Sequence, residues 1–313
     1  MNRRHFFQAG MGALVAANFR KLFAKISDNR QLPRRPFNDK TELSIIGFGG
    51  IVVVGMEQAD ANTIVRSSID SGVNYFDVAP SYWDGEAEKK LGIALEGVRN
   101  QNFLACKTMA RDAEGAREEL ETSLKRLRTD YFDLYQFHAV TSSSDVESIF
   151  APNGALKTFL RAREDGKIRY IGFSAHSEEA ALTMLDRFEF DSILFPVNFV
   201  CYFKGDFGPA VMQKAREKNV TCLALKAMAH TPLTEEKERK WEKCWYQPVE
   251  ENELAEKALR FTLSEGVAAA IPPGEVYFYQ QALSFGKKYR PLDDAERDYL
   301  KSVAGDLDPL FPL

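Results

Sequence analysis

The chain has 313 residues, 45% apolar and 12% aromatic, which is enough for a sizeable buried core and argues against a mainly disordered chain. Lys and Arg number 41 against 45 Asp and Glu, which argues against a globally basic nucleic-acid binder. The four cysteines (Cys106, Cys201, Cys222, Cys244) form no CxxC, so a disulfide scaffold, zinc finger or iron–sulfur cluster is not indicated, and no uncharged apolar run is long enough for a stable membrane span.

The net charge of −4 is unevenly spread. Arg3, Arg4, Arg20, Lys21 and Lys25 precede the first acid, so residues 1–27 carry +5; the other 36 cations face 45 acids, a net of −9. Arg3-Arg4, His5-Phe6-Phe7 and the uncharged run Ala9–Phe19 have the layout of an export signal. The segment resembles a twin-arginine signal, which implies recognition by the twin-arginine export machinery and a periplasmic or exported protein. Residues 1–30 are expected to be signal and leader, with Ala16-Ala17 a candidate cleavage point. The alternative is a frayed N-terminus on a cytoplasmic protein.

From Leu32 to Ser44, Pro33, Pro36 and the Asn38-Asp39 turn signal predict a small hairpin. Eight short apolar runs follow: Ile45–Phe48, Val73–Phe76, Phe103–Ala105, Phe132–Phe137, Tyr170–Phe173, Ile193–Val197, Thr221–Leu225 and Val267–Ile271. Amphipathic segments separate them: Asn62–Ser71, Glu86–Leu95, Ala116–Leu127, Leu156–Asp165, Glu178–Phe188, Pro209–Lys218 and Asn252–Ser264. Gly72, Gly166 and Gly266 stand where helix-ending glycines belong. The last helix is open between 275–289 and 292–304. Eight strands alternating with helices predict an α/β fold, a (β/α)8 TIM barrel with an N-terminal β-hairpin, as one domain over 31–313.

A barrel of this kind places its chemistry at the C-terminal strand ends. Asp77 ends the second run, Lys107 the third and His138 the fourth, and Tyr82 lies in the loop after Asp77. Alone, each has an ordinary structural explanation: a helix cap, a half-buried wall, a core histidine. A strand-end lysine is harder to dismiss, because an unpaired buried ammonium is costly and needs an anion such as Asp77. If Lys107 points inward, Ala105 does too, and Cys106 points outward as a small packing residue.

These four residues lie in segments that carry a family resemblance. GVNYFDVAPSYWDGEAEKKLGIAL is similar to the GxxxxDTAxxYGxxExxLGxAL pattern of aldo-keto reductases; CKT, YQFH, IIGFGG and YIGFSAH resemble further segments of that family. The resemblance covers about residues 33–290. It implies hydride transfer from a nicotinamide, NADP or NAD, to the carbonyl of an aldehyde, ketone or sugar, without a metal. Tyr82 would donate the proton, Lys107 would favour its phenolate, Asp77 would keep Lys107 charged, and His138 would bind the carbonyl oxygen. Tyr82→Phe is expected to abolish turnover and spare dinucleotide binding.

The resemblance also assigns a cofactor cleft: Gly49, Gly50, Ser174, Leu225, Lys226, Gly274 and Gln281. Three departures stand out. Ala175 replaces an Asn, Leu194 a Gln, and Leu225 a stacking Tyr. Lys226 is a candidate contact to phosphate or substrate, or a strand-end lysine reaching solvent. No Lys or Arg occurs between Arg260 and Lys287, so no obvious partner for a 2′-phosphate is present there. Trp83, Trp241 and Trp245 are candidate pocket walls; residues 228–250, with Trp241, Trp245 and Tyr246, are a candidate lid over the mouth, and the C-terminal DLDPLFPL a further wall. Two other readings stay open. One is a dinucleotide-binding regulatory or structural barrel with little turnover. The other is a barrel using Lys107 as a Schiff-base amine, which Asp77 disfavours.

Overall fold

The turn at Asp39-Lys40 reverses the chain between β1 (Arg34–Asn38) and β2 (Thr41–Ser44), giving the expected hairpin. Phe37 on this hairpin packs against Phe103 (ring centroids 5.0 Å) and Tyr170 (5.1 Å), both near the starts of barrel strands. The hairpin therefore seals the N-terminal end of the barrel. The computed structural model describes residues 30–234 and 239–311. The export-like segment 1–29, residues 235–238 and residues 312–313 lie outside the described residues.

Eight parallel strands form one sheet: β3 (Phe48–Gly49), β4 (Tyr75–Asp77), β5 (Phe103–Thr108), β6 (Phe132–Val140), β7 (Ile168–Ala175), β8 (Ser192–Pro196), β9 (Thr221–Leu225) and, after a two-stranded excursion, β12 (Ala269–Ile271). The excursion pairs β10 (Ala229–Pro232) with β11 (Tyr246–Pro248) and occupies part of the candidate lid. Between β12 and β3 the barrel closes through one bridge, Ile46 to Ala270, with Ala270 bonded to Ile45 O and Gly47 N. This accounts for the first strand lying later than the run Ile45–Phe48: Ile45 and Ile46 serve the seam. Tyr75, Ala105, Leu134, Leu194, Leu223 and Ala269 fill the interior. Ala105 therefore faces inward, while the Cys106 thiol faces Glu88 at 3.6 Å, as strand alternation predicts.

The helices are α1 (Gln58–Asp70), α2 (Glu86–Ala94), α3 (Ala113–Leu127), α4 (Ser143–Phe150), α5 (Ala155–Glu164), α6 (Glu178–Arg187), α7 (Phe199–Phe203), α8 (Pro209–Glu217), α9 (Asn252–Ser264), α10 (Val276–Gly286) and α11 (Asp294–Gly305). Gly72, Gly166 and Gly266 follow helices at φ of 97°, 74° and 84°, the left-handed conformation expected of them. Both candidate last helices exist, as α10 and α11, separated by Pro291. The sequence reading missed α4 and α7, which are short additions to strand-to-helix loops, capped by Ser142 and Asn198.

Candidate active site

Every barrel strand sends a residue into one cavity of about 230 Å³ at the C-terminal end: Gly49, Asp77, Lys107, His138, Ser174, Leu194, Leu225 and Ile271. The loops add Tyr82, Lys226, Trp245, Tyr246 and Gly274, all anticipated from sequence, and Ile51, His176, Lys243 and Pro272-Pro273, which were not singled out. Lys243 was not singled out within the candidate lid 228–250, because a long excursion from β9 carries it to the mouth. His176 was within reach of the strand-end argument, one residue past β7.

The central group is a buried chain of polar contacts. Lys107 is fully buried and pairs with Asp77, itself 2% exposed. The same ammonium donates to Val78 O at 3.2 Å and to the Tyr82 hydroxyl at 3.3 Å. Asp77 also accepts from Gln136 Nε2 (3.1 Å) and the Tyr75 hydroxyl (3.3 Å). Burial opposes the charge on Lys107, but Asp77 and Tyr82 outweigh it and hold the ammonium above its ordinary value. A lysine held in that state is not a free amine nucleophile, which counts against the Schiff-base reading.

Burial raises the Tyr82 phenol; Lys107 opposes that rise without cancelling it. Lys107 thus favours the phenolate as expected, but it does not bring the phenol closer to neutrality, because burial is the larger effect. Desolvation wins, and Tyr82 is held in its proton-bearing form. His138 meets the Tyr82 ring edge-on, centroids 5.8 Å apart. Burial, then Lys107, depresses its pKa well below the usual range, so its imidazole is neutral at neutral pH and keeps one N–H to donate.

The cleft beside this group fits a nicotinamide dinucleotide. Ser174 Oγ accepts from the Ala139 N–H at 2.8 Å, and its own O–H has no acceptor among the described residues, so it is free for a ligand carbonyl. A Cβ on Gly274 would stand 2.4 Å from Ile51 Cγ2, so only glycine fits there, with Lys243 next to it. Leu194 and Leu225 line the place where the family pattern has Gln and Tyr, as the sequence indicated.

Four predicted residues stand apart from the cavity lining. Gly50 begins the 3-10 turn after β3 and packs against Val78. Gln281 on α10 donates to Asn252 and to the Tyr277 hydroxyl, each at 3.1 Å. Trp83 is 47% exposed on the turn after Tyr82. Trp241 stacks on Tyr277 (5.8 Å) and donates to Glu250. Within the candidate lid it is Lys243, Trp245 and Tyr246 that reach the mouth. Phe311, from the C-terminal stretch, stacks on His176 (5.3 Å) and meets Trp245 (5.9 Å), so that stretch does buttress the wall.

An eight-stranded parallel barrel with an acid, tyrosine, lysine and histidine converging at its mouth defines a barrel of the aldo-keto reductase type. Residues 45–277 match a family described as the Aldo/keto reductase family, and the chain belongs to it. It is 31% identical to the aldo-keto reductase YhdN of Bacillus subtilis over 199 residues, 60% of this chain and 57% of that one. It is 34% identical to the methylglyoxal reductase YeaE of Escherichia coli over 143 residues, 44% and 48% of the two chains. These stretches span about half the length of those relatives. The fold matches the holo form of aldo-keto reductase AKR11C1 from Bacillus halodurans, TM-score 0.70 at 22% identity, over 90% of this chain and 99% of that one. It also matches an aldo-keto reductase from Klebsiella pneumoniae in complex with NADPH, TM-score 0.66 at 19% identity, over 90% and 96%.

Proposed function

We propose that the protein is an NAD(P)H-dependent reductase of aldehyde, ketone or sugar carbonyls. The observation that carries this reading is the Asp77–Lys107–Tyr82 chain ending in one cavity with His138. When bound, the nicotinamide supplies the hydride. Ser174 and the backbone at Gly274 would hold the cofactor, and Lys243, next to Gly274, would offer its phosphates a cation. Neutral His138 donates to the carbonyl oxygen and fixes its position near Tyr82. Tyr82 gives its proton to that oxygen as negative charge develops there, and Lys107 stabilises the phenolate left behind. Asp77 holds Lys107 charged and in place. No specific cation favours NADP over NAD in the stretch from 261 to 286.

Tyr82→Phe tests the assignment. Turnover of carbonyl substrates is expected to fall by about a hundred- to ten-thousandfold, with dinucleotide affinity retained. Undiminished turnover removes Tyr82 as proton donor. A wild-type protein that binds dinucleotide tightly but reduces no carbonyl supports the alternative of a binding or regulatory barrel.

We also propose that residues 1–30 address the protein to the twin-arginine route, on the strength of Arg3-Arg4 and the apolar run after them. Export in the folded state would let it carry a bound dinucleotide with it. Replacing Arg3 and Arg4 by Lys should retain the protein in the cytoplasm; an unchanged distribution on fractionation refutes the signal.

A further inference from the structure

The cavity holds one cation, Lys226, that no carboxylate among the described residues matches and that sequence left open between phosphate and substrate. Lys107 is matched by Asp77. Lys243 donates to Val52 O at 2.9 Å, and Glu275, which accepts from the Lys243 backbone N–H at 2.8 Å, lies beside it. Lys226 has no such match, since no carboxylate pairs with it among the described residues. Its ammonium lies over the rings of Trp245 (4.8 Å) and Tyr246 (4.7 Å) instead. Ring faces offset the loss of water around a cation only in part.

The backbone aims this side chain deliberately. Lys226 follows β9 at φ +66°, a left-handed conformation that a lysine adopts rarely. The turn is held there by bonds to Lys226 O from Asn198 Nδ2 (3.1 Å) and the Ala229 N–H (2.9 Å). Lys226 also acts on the histidine side of the cavity. Its charge helps depress both His138 and His176, and burial with that charge brings His176 down to about 4. Gly274, by contrast, has Lys243 as its neighbouring cation. The two lysines thus divide: Lys243, matched by Glu275, neighbours the glycine of the cofactor cleft, and the unmatched Lys226 shares the cavity with His138 and His176.

We propose that the carbonyl substrate carries a carboxylate and that Lys226, over Trp245 and Tyr246, selects it. This rests on the carbonyl-reductase reading above. A single ammonium beside a neutral imidazole matches one negative charge; it would leave a phosphate dianion half compensated. Trp245 and Tyr246 line the same mouth, so the chain between carbonyl and carboxylate would run over apolar ring surface. Lys226 is a specificity residue here and has no part in proton transfer.

Two measurements test this. In the first, hexanoate and its neutral isostere hexanamide are titrated into the purified protein, followed by tryptophan fluorescence. Hexanoate is expected to bind at least about tenfold more tightly. Lys226→Met should abolish the preference and Lys226→Arg should keep part of it. Equal binding of acid and amide by the wild type overturns the proposal. In the second, a carboxylated aldehyde and its methyl ester are compared as substrates. The ratio of their kcat/KM values should fall by about tenfold in Lys226→Met, through KM, while NADH and NADPH affinities stay within about twofold. Weakened dinucleotide affinity with an intact acid preference overturns the proposal and returns Lys226 to the cofactor. Reduction of aldehydes without any acid preference sinks this inference alone. A Lys226-dependent acid preference without reduction of any aldehyde supports the carboxylate site and sinks the reductase reading.

Discussion

Arg111 grips the turn behind His138: one guanidinium nitrogen donates to the His138 carbonyl oxygen at 2.8 Å and to that of Ala139 at 3.1 Å. Its Nε is held by Asp145 at 3.0 Å. Ala139 sits at φ +52°, and its N–H is taken by Ser174. The strand end carrying the imidazole is therefore fixed from outside the cavity, by a positioning residue that touches no reacting atom.

Arg111→Met should leave the cavity lined by the same side chains but loosen this turn. The expected result is a loss of about 1–3 kcal/mol in urea unfolding, with kcat reduced and dinucleotide affinity intact. Equal loss of dinucleotide binding would show that the clamp supports the whole barrel rather than the histidine turn.

The Asp77–Lys107 pair should behave as a unit. Removing one member strands a buried charge, so Asp77→Asn and Lys107→Met should each cost about 3–5 kcal/mol in denaturant unfolding. The double variant should be less destabilised than the sum of the two. Simple additivity would mean that the two charges are not coupled as their contact implies.

Acid stability should report on Glu296. Its carboxylate accepts from Arg260 and Arg290, and the Arg260 bonds above all hold its pKa down to about 2 from an ordinary 4.5. A folded-state pKa below the unfolded one adds stability above the unfolded value, and that stability is lost as pH falls through the folded one. The contribution should be complete above about pH 4.5 and fade toward about pH 2. Glu296→Gln should lower stability at pH 7 by about 1 kcal/mol, solvent screening taking the rest, and flatten this part of the pH profile. An unchanged profile would place the acid-labile group elsewhere.

Two glycines separate close packing from backbone strain. A Cβ on Gly92 of α2 would stand 2.6 Å from the Arg126 carbonyl oxygen of α3, a backbone atom that cannot swing away. Gly97 has φ +78° and open space around its missing Cβ. Gly97→Ala should cost about 1–2 kcal/mol, the strain of an alanine in the left-handed region. Gly92→Ala should cost more than about 2 kcal/mol, through shifted helices. The reverse order in thermal unfolding would contradict the packing described for α2 and α3.

Much of this was legible in the sequence, because period-two runs and helix-closing glycines are local signals. β9 and α9 fall on their expected spans, Thr221–Leu225 and Asn252–Ser264. The residues at barrel-strand ends were legible too, since the fold class dictates which end carries chemistry. Lys243 and His176 were not singled out: Lys243 reaches the mouth along an irregular path whose destination depends on partners far away in the chain, and His176 lies one residue past its strand. Trp83 and Trp241 were over-read for a related reason: an aromatic near a motif has no pattern that says whether it faces the cavity. The Tyr82 phenol shows a different limit. Its neighbours are readable in order, but whether burial or the ammonium prevails is a matter of enclosure, and enclosure is a property of the whole fold.

The barrel's seam has a consequence for how ligand and fold depend on each other. Its two flanking strands, β3 and β12, meet through the single bridge at Ile46 and Ala270. Those strands lead directly into Gly49 and Gly274, two faces of the cavity. Loosening of the seam would then disturb the cleft, and a dinucleotide held between Gly49 and Gly274 would favour the closed seam. Ligand should therefore slow amide exchange at Gly47 and Ala270 more than in strands remote from it, such as β6, making the cofactor the clasp of the barrel.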